Sequence, residues 1–504
     1  MKTYLIVYFG TVLVAMFLVP FVSRLAKWYR LLDAPGPRKV HKKPIPRIGG
    51  IVFVVSTLAL VLPMLFLNNN IGQSFRESWK EFTALLIGGV FIFIVGLIDD
   101  LRSVKGYIKL SCLVVASLAI CASGSTIYSL SIGTWFTLQT GLAAWPLTVI
   151  WIVMITVCMS VIDGLDGLAA GIAAIVCGTL VLMALWSGQA AMAVLMLALL
   201  GSVTGFLFFN FYPAKIFMGD GGSMFLGFLI GAGSIVFQTK THTLVGLAIP
   251  FLVMGVPILD TGFVIIGRRF IERRSIFSPD RKHFHHRLLD LGLHHRTVVI
   301  VIYAVTAISA SIGVLMLTVE SGSSFGLLIF GLLLLFSMFG YLHGNRFCEV
   351  VVALKRNLTI KHHSMKDRHT FEMAQVRMHE STSFQEWWET MCIMGQKMNF
   401  QNIGLWNCRN GQYVRTCMWN VSDDKFKTGK TAKFTLPIRS GNDLVEWEIR
   451  VHTSVNGFLE LSGRQAMLLA RLLDEFPLPE NKKEPKQLEL FPNTTNRSSI
   501  RKKA

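Results

Sequence analysis

The sequence predicts an all-α polytopic membrane protein of about eleven transmembrane helices, followed by a cytosolic α+β domain. Three observations predict it. Apolar stretches of about 20 residues, enough to cross a bilayer core, recur through the first two-thirds of the chain. Only 16% of the 504 residues are charged, against 52% hydrophobic, a poorer charge content than water-soluble domains carry. Beyond the last apolar stretch the pattern changes to alternating strand-like segments between amphipathic helices. The net charge of +19 would also suit a nucleic-acid partner, but no recognition module accompanies it. In a membrane protein such an excess marks inner loops and attraction to anionic lipid.

The spans fall near 4–23, 48–68, 83–98, 108–123, 145–161, 169–186, 190–208, 222–238, 244–266, 298–318 and 323–343. The first runs into Arg24, Lys27 and Arg30 without a small-residue cleavage site, so it reads as a retained helix. Residues 24–47 are densely basic. So are residues 267–297, with Arg268, Arg269, Arg273, Arg274, Arg281, Lys282, Arg287 and Arg296. The segments 124–144, 187–189 and 319–322 hold no Lys or Arg. This asymmetry places the N-terminus outside and the C-terminal region in the cytoplasm, in a multi-pass protein of the inner (cytoplasmic) membrane. It also puts the loops starting at Asp99, Asp163, Asn210 and Gly267 on the cytoplasmic side, where they are expected to build one site.

The domain boundaries expected are 1–344 for the membrane domain, 345–370 for a basic juxtamembrane linker, 371–478 for the α+β domain and 479–504 for a disordered tail. In the α+β domain, "SFQEWWETMCIMGQKM" has helical spacing, and "QNIGLWNC", "QYVRTCMWN", "AKFTLPIR" and "LVEWEIRVHT" read as strands. Helix, strands and helix in that order resemble GAF or PAS domains. Ser462 and Gln465 have the spacing of a capping box for the closing helix. The eight cysteines have no metal-like spacing and read as free thiols.

Four motifs carry chemistry. "GLIDDLRSV" ends the third span in Asp99 and Asp100, adjacent carboxylates that need a divalent cation, a lysine or bulk water nearby. "SVIDGLDGLAAG" places Asp163 and Asp166 three residues apart, each followed by glycine. In a helix they share one face; in a turn the Asp-Gly pairs expose both carboxylates. "FNFYPAKIFMGDGGSMFLG" sets Asp220 beside a glycine-rich helix start. Such a start lets phosphate approach backbone N–H groups, and a carboxylate beside it fits magnesium shared with phosphate. "SPDRKHFHHRLLDLGLHHR" groups His283, His285, His286 and Arg287, which suit phosphate or hydroxyl groups better than a cation. Ionised groups beside lipid are expensive and mark function. Carboxylates, magnesium and cations together are equipment for moving a phosphoryl group.

With "RKVHKKPIPRIGG" and "PILDT", these segments occur in one order over roughly residues 30–300. They closely resemble the bacterial polyprenyl-phosphate N-acetylhexosamine-1-phosphate transferases (glycosyltransferase family 4 type), and the "HHRLL" continuation resembles their N-acetylglucosamine branch. The resemblance implies transfer of N-acetylglucosamine 1-phosphate, or a related N-acetylhexosamine 1-phosphate, from its UDP-sugar to undecaprenyl phosphate, with release of UMP. It further implies magnesium, with manganese as a substitute, at Asp220, and catalytic roles for Asp99 and Asp100 at the metal and the lipid phosphate. It puts Asp163 and Asp166 at the nucleotide and catalytic centre, Asn210 and Phe217 at uridine, Lys109 at a phosphate, and His283, His285, His286 and Arg287 at the donor. Implied partners are the lipid acceptor, the UDP-sugar and membrane lipid, with a homodimer as candidate assembly. Ser103 stands where many members have a further Asp, and Val157 and Ser160 replace asparagines. These departures raise a second reading, a catalytically degenerate membrane scaffold for glycan assembly. A transporter would instead line a path through several spans with charge.

Overall fold

The computed structural model describes residues 2–33, 44–132, 136–241, 245–271, 275, 283–319, 321–409, 412–421, 431–438, 447–454 and 459–478. Residues 34–43 of the first basic loop, Arg273, Arg274, Arg281 and Lys282 of the second, and the tail from 479 lie outside them. The chain divides into two compact units, Met1–Cys348 and Glu349–Ala504.

The first unit is a helical bundle. In chain order it contains α1 (Lys2–Trp28), the strand pair β1 (Leu32–Asp33) and β2 (Ile45–Pro46), α2 (Gly50–Met64), α3 (Asn70–Glu77), α4 (Trp79–Leu101) and α5 (Gly106–Ala122). The hairpin β3 (Ser129–Ile132) and β4 (Phe136–Gln139) follows, then α6 (Ala144–Ile162), α7 (Leu168–Trp186), α8 (Ala190–Asn210) and α9 (Gly219–Thr241). Next come α10 (Val245–Val253), α11 (Gly255–Ile266), α12 (Phe284–Asp290), α13 (His295–Met316) and the start of α14 (Ser321–Glu380).

Among the described residues, eight of these helices have the length and apolar composition to cross a membrane. They are α1, α4, α6 with the turn before it, α7, α8, α9, α13 and the first part of α14. Helices α10 and α11 are a further candidate as a pair bent by 70°, while α2 and α5 are apolar but shorter. Each span expected from the sequence falls on one of these elements. Four elements were not anticipated: α3, the β1–β2 pair, the β3–β4 hairpin and α12. Helix α3 is capped by Asn69, whose Oδ1 accepts the Gly72 N–H at 2.9 Å. The β3–β4 hairpin lies within the segment read as a plain loop.

Helix α9 is central: 94% of its apolar window is buried, against 22% at the start of α14. Its small residues explain the position. A Cβ at Gly227 would lie 2.7 Å from Thr156 Cα of α6, and one at Gly96 of α4 would lie 2.6 Å from Gly221 Cα. Helices in an apolar bundle gain stability from such close backbone approach. The resulting α4–α9 and α6–α9 contacts bring the ends of three helices together, where the carboxylates stand.

The second unit comprises the rest of α14, α15 (Phe384–Lys397), the strands β5 (Phe400–Arg409), β6 (Gln412–Asn420), β7 (Thr431–Ile438) and β8 (Trp447–Ser454), and α16 (Leu459–Glu475). The sheet is antiparallel in the order β6-β5-β8-β7. Its core gathers Trp387, Met391, Ile403, Leu405, Ile449, Val451 and Leu469. Residues 345–370, expected as a linker, lie within α14. The expected capping box at Ser462 is a misreading. Helix α16 begins at Leu459, so Ser462 lies inside it, and the Gln465 amide donates to Asp367 Oδ2 at 3.0 Å. A side-chain cap is seen at α15, where the Ser383 Oγ accepts the Glu386 N–H at 3.3 Å. The seven cysteines whose side chains are described are free thiols.

Candidate active site

The first cluster forms where α4 ends and α9 begins. Asp100 is buried, and both its oxygens accept backbone N–H groups at 3.0 Å: Oδ1 from Asp220 and Oδ2 from Gly221. A carboxylate on the first amides of a helix satisfies groups with no intrahelical partner and suits the positive end of the dipole. The chain enters α9 through Gly219 at φ +72°, where a Cβ would stand 2.5 Å from Asp100 Oδ2 and 2.2 Å from the Arg47 carbonyl. A short ladder fixes the other side of this turn. Phe217 N donates to the Pro46 carbonyl at 2.8 Å, Gly49 N to that of Phe217 at 2.9 Å, and Gly50 N to that of Met218 at 2.8 Å. The "RIGG" segment is thereby the backbone partner of "FMGD".

Asp99 faces a different neighbour. Its Oδ2 lies 2.7 Å from Lys109 Nζ of α5, and the same ammonium is 2.8 Å from Asp220 Oδ2. Asp99 Oδ1 accepts the Val104 N–H at 2.6 Å. Of the aspartate pair, Asp99 is thus answered by a lysine and Asp100 by backbone N–H groups, a fourth way beyond the three expected. Two carboxylates around one ammonium leave one negative charge, at side chains 15–34% exposed.

The second cluster is the α6–α7 turn. Asp166 Oδ2 accepts the Ala214 N–H at 2.9 Å. Asn210, at the end of α8, accepts the Gly167 N–H through Oδ1 at 3.1 Å and donates to the Ile216 carbonyl at 2.8 Å. Gly167 takes φ +79°, and the Tyr303 hydroxyl donates to its carbonyl. Asp166 and Asn210 thus clamp the turn to residues 211–217. Asp163 has no hydrogen-bond partner among the described residues. Burial first, then the carboxylates of Asp220, Asp100 and Asp166, push its pKa up to about 8. That repulsion ties the two clusters into one electrostatic site.

The third cluster joins α11 to α12. Asp260, fully buried, accepts the Phe284 N–H through Oδ1 at 2.7 Å and lies 3.1 Å from His283 Nδ1 through Oδ2. His285 is buried, and desolvation lowers its pKa to about 3, so its ring is neutral. It rests on the aspartate turn: a Cβ at Gly164 would lie 2.6 Å from His285 Nε2. The rings of His285 and His286 are 4.4 Å apart. Arg287 is partly buried, on the second turn of α12.

The structure therefore groups Asp99, Asp100, Lys109 and Asp220, joins them to Asp163 through electrostatics, and sets His285 against the turn that holds Asp163 and Asp166. Asn210 and Asp166 have backbone partners, and the Phe217 main chain is part of the ladder. The contribution of Asp260 was missed, although an aspartate inside an apolar helix is itself a signal. Among the described residues, no three His, Cys, Asp or Glu side chains form a ready metal-binding set. Magnesium usually takes only one or two carboxylates and completes its shell with water and substrate phosphate. Asp220 and Asp99 meet that requirement.

Residues 82–238 match Glycosyl transferase family 4. The chain is 39% identical over 297 residues to the protein of Bacillus subtilis (strain 168) named probable undecaprenyl-phosphate N-acetylglucosaminyl 1-phosphate transferase, covering 58% of this chain and 80% of that one. It is 35% identical over 320 residues to the decaprenyl-phosphate N-acetylglucosaminephosphotransferase of Mycobacterium leprae (strain TN), covering 58% and 78%. It is 26% identical over 332 residues to a phospho-N-acetylmuramoyl-pentapeptide-transferase of Desulforudis audaxviator (strain MP104C), covering 60% and 93%. With a carboxylate-rich site at the ends of apolar helices, and the 39% identical Bacillus subtilis relative matched over four-fifths of its length, the chain belongs to glycosyl transferase family 4.

Proposed function

We propose that the protein transfers N-acetylglucosamine 1-phosphate, or a related N-acetylhexosamine 1-phosphate, from its UDP-sugar to undecaprenyl phosphate, releasing UMP and starting a lipid-linked cell-envelope glycan. The observation that carries this reading is the Asp99–Lys109–Asp220 cluster, joined to Asp163 at the ends of apolar helices. A nucleotide from water and a phosphate anchored in lipid meet naturally at such a place. In this reading eleven segments cross the inner membrane, the N-terminus is outside, and the site faces the cytoplasm, as the basic loops favour.

Asp220 and Asp99 would hold magnesium, which neutralises the donor diphosphate when bound. Lys109 offers its ammonium to a phosphate as well as to the two aspartates. Asp100 acts on the main chain, holding the first turn of α9 so that Asp220 is presented correctly. The acceptor phosphate, with a second pKa of about 6, is mostly dianionic at neutral pH and needs no strong base. Asp99 orients it or takes its remaining proton. The phosphate oxygen attacks the sugar-bound phosphorus, and UMP departs. Asp163, whose pKa is raised by burial and by the neighbouring carboxylates, would offer an O–H to a substrate oxygen in its protonated form. Asp166 and Asn210 hold the turn on which the nucleotide would rest, with Phe217 beside it. His283, His285, His286 and Arg287 form the donor side.

The test uses purified protein with undecaprenyl phosphate and a panel of UDP-N-acetylhexosamines, with and without magnesium or manganese. Lipid product and UMP in equal amounts, both lost on chelation and in Asp220→Ala, are expected. No transfer by folded protein from any donor would favour the scaffold reading that the replaced asparagines raise. UMP release without lipid acceptor, or a trapped labelled enzyme, would contradict direct attack.

A further inference from the structure

We infer that Asp260 is a positioning residue for the donor side of the site: it sets the tautomer of His283 and the placement of α12. This rests on the reading of the His-rich segment given above.

Asp260 lies within α11, fully buried, with both oxygens turned on the start of α12. The His283 side chain makes no cap hydrogen bond to its own helix. The first amide of α12, that of Phe284, is satisfied instead by Asp260 Oδ1 at 2.7 Å, 24 positions earlier in the chain. A carboxylate there also benefits from the helix dipole. The other oxygen lies 3.1 Å from His283 Nδ1. A carboxylate oxygen at this distance is the acceptor for an Nδ1–H, the tautomer assigned to His283, and Nε2 is left for another partner. The arrangement extends further. His285, in the first turn of the same helix, packs where Gly164 has no side chain, between Asp163 and Asp166. Fixing the first amide of α12 therefore also fixes the ring that sits on the aspartate turn. An aspartate inside an apolar helix is expensive, and here both of its oxygens serve α12.

Asp260→Asn keeps the shape. Its carbonyl still accepts from Phe284, but its NH₂ now donates toward Nδ1 and drives His283 to the Nε2–H tautomer. The experiment compares Asp260→Asn, His283→Ala and the double variant in the full-length protein. It reads kcat and KM for the UDP-sugar, thermal stability, and the ¹⁵N spectrum of histidine-labelled protein, with the His283 signal assigned by its loss in His283→Ala. Asp260→Asn should lower kcat/KM by about tenfold or more, the scale of a lost buried charge-assisted hydrogen bond. The double variant should fall within about twofold of His283→Ala, because interacting residues are not additive. The wild-type His283 signal should be that of Nδ1–H and should change in Asp260→Asn. Losses that multiply, or an unchanged His283 signal, would overturn the inference. Wild-type protein that transfers no sugar phosphate would strike the functional reading instead, and the ¹⁵N spectrum would still decide the relation between Asp260 and His283.

Discussion

The carboxylate of Asp100 accepts the main-chain N–H of Asp220 at 3.0 Å, across 120 positions of sequence. Asp99 and Asp100 are neighbours with separate tasks: Asp99 meets the Lys109 ammonium and Asp100 meets backbone. Asp100→Asn retains one acceptor but turns an NH₂ toward the second amide. Transfer should fall about 10- to 100-fold, with loss of stability of about 1–3 kcal/mol for an unsatisfied buried group. Asp220→Asn should instead lose activation by magnesium with little change in stability. A metal titration and a thermal melt on each variant separate the two. Equal effects on both readouts would remove the distinction.

Lys109 separates two carboxylates that would otherwise repel. The cluster is only partly buried, so Lys109→Ala should cost about 1–2 kcal/mol, between exposed and buried ion pairs. Transfer should fall by about 100-fold or more, the scale of a lost electrostatic contact to transferring phosphate. Lys109→Arg should restore stability more fully than turnover, because a planar guanidinium cannot replace a compact ammonium between two carboxylates. Full turnover in Lys109→Ala would exclude the lysine from the site.

Asp163 and His285 give opposite pH signatures. Asp163 is raised to about 8, so folded protein binds a proton there that unfolded chain releases near 4. The associated stability is fully present below about pH 4 and is lost as pH rises toward 8. His285 is lowered to about 3, so its contribution is present above about pH 6.5 and is lost as pH falls toward 3. Thermal melts of metal-free protein should show Asp163→Asn removing the loss of stability between about pH 4 and pH 8, and His285→Asn removing the loss as pH falls from about 6.5 toward 3. An unchanged slope in either variant would contradict the corresponding assignment.

Gly164 is required by contact. An added methyl would lie 2.6 Å from His285 Nε2, whereas nothing lies within 4 Å of the same position at Gly178. Gly164→Ala should displace His285 and reduce kcat/KM for the donor by about tenfold, at an overpacking cost of about 1–3 kcal/mol. Gly178→Ala is the control and should leave transfer intact. Donor kinetics on the two variants check this directly.

Much of this is legible in the sequence. Hydropathy located the apolar segments because bilayer thickness fixes their length, and aspartates at their ends stood out because charge is costly there. Local pattern also located β5 to β8. What stayed hidden was pairing over long separation. Nothing local to Asp99 and Asp100 says that one will face Lys109 and the other an amide 120 positions on. Asn210 reads as a ligand candidate, yet its side chain joins Gly167 to Ile216. The Ser462–Gln465 spacing fits a cap, but tertiary contact with Asp367 prevails. The isolated aspartate of "PILDT" carried a signal, and only the fold shows that it serves α12.

The most direct test of the central claim labels the donor twice, with ³²P in the β-phosphate and ¹⁴C in the sugar of UDP-N-acetylglucosamine. Protein, undecaprenyl phosphate and magnesium are then incubated together. Transfer of sugar 1-phosphate carries both labels into lipid in equal amounts and leaves UMP, with neither label moving in Asp220→Ala. Sugar label in lipid with ³²P retained in UDP would contradict the account, because the bond broken would be sugar to oxygen rather than phosphorus to oxygen.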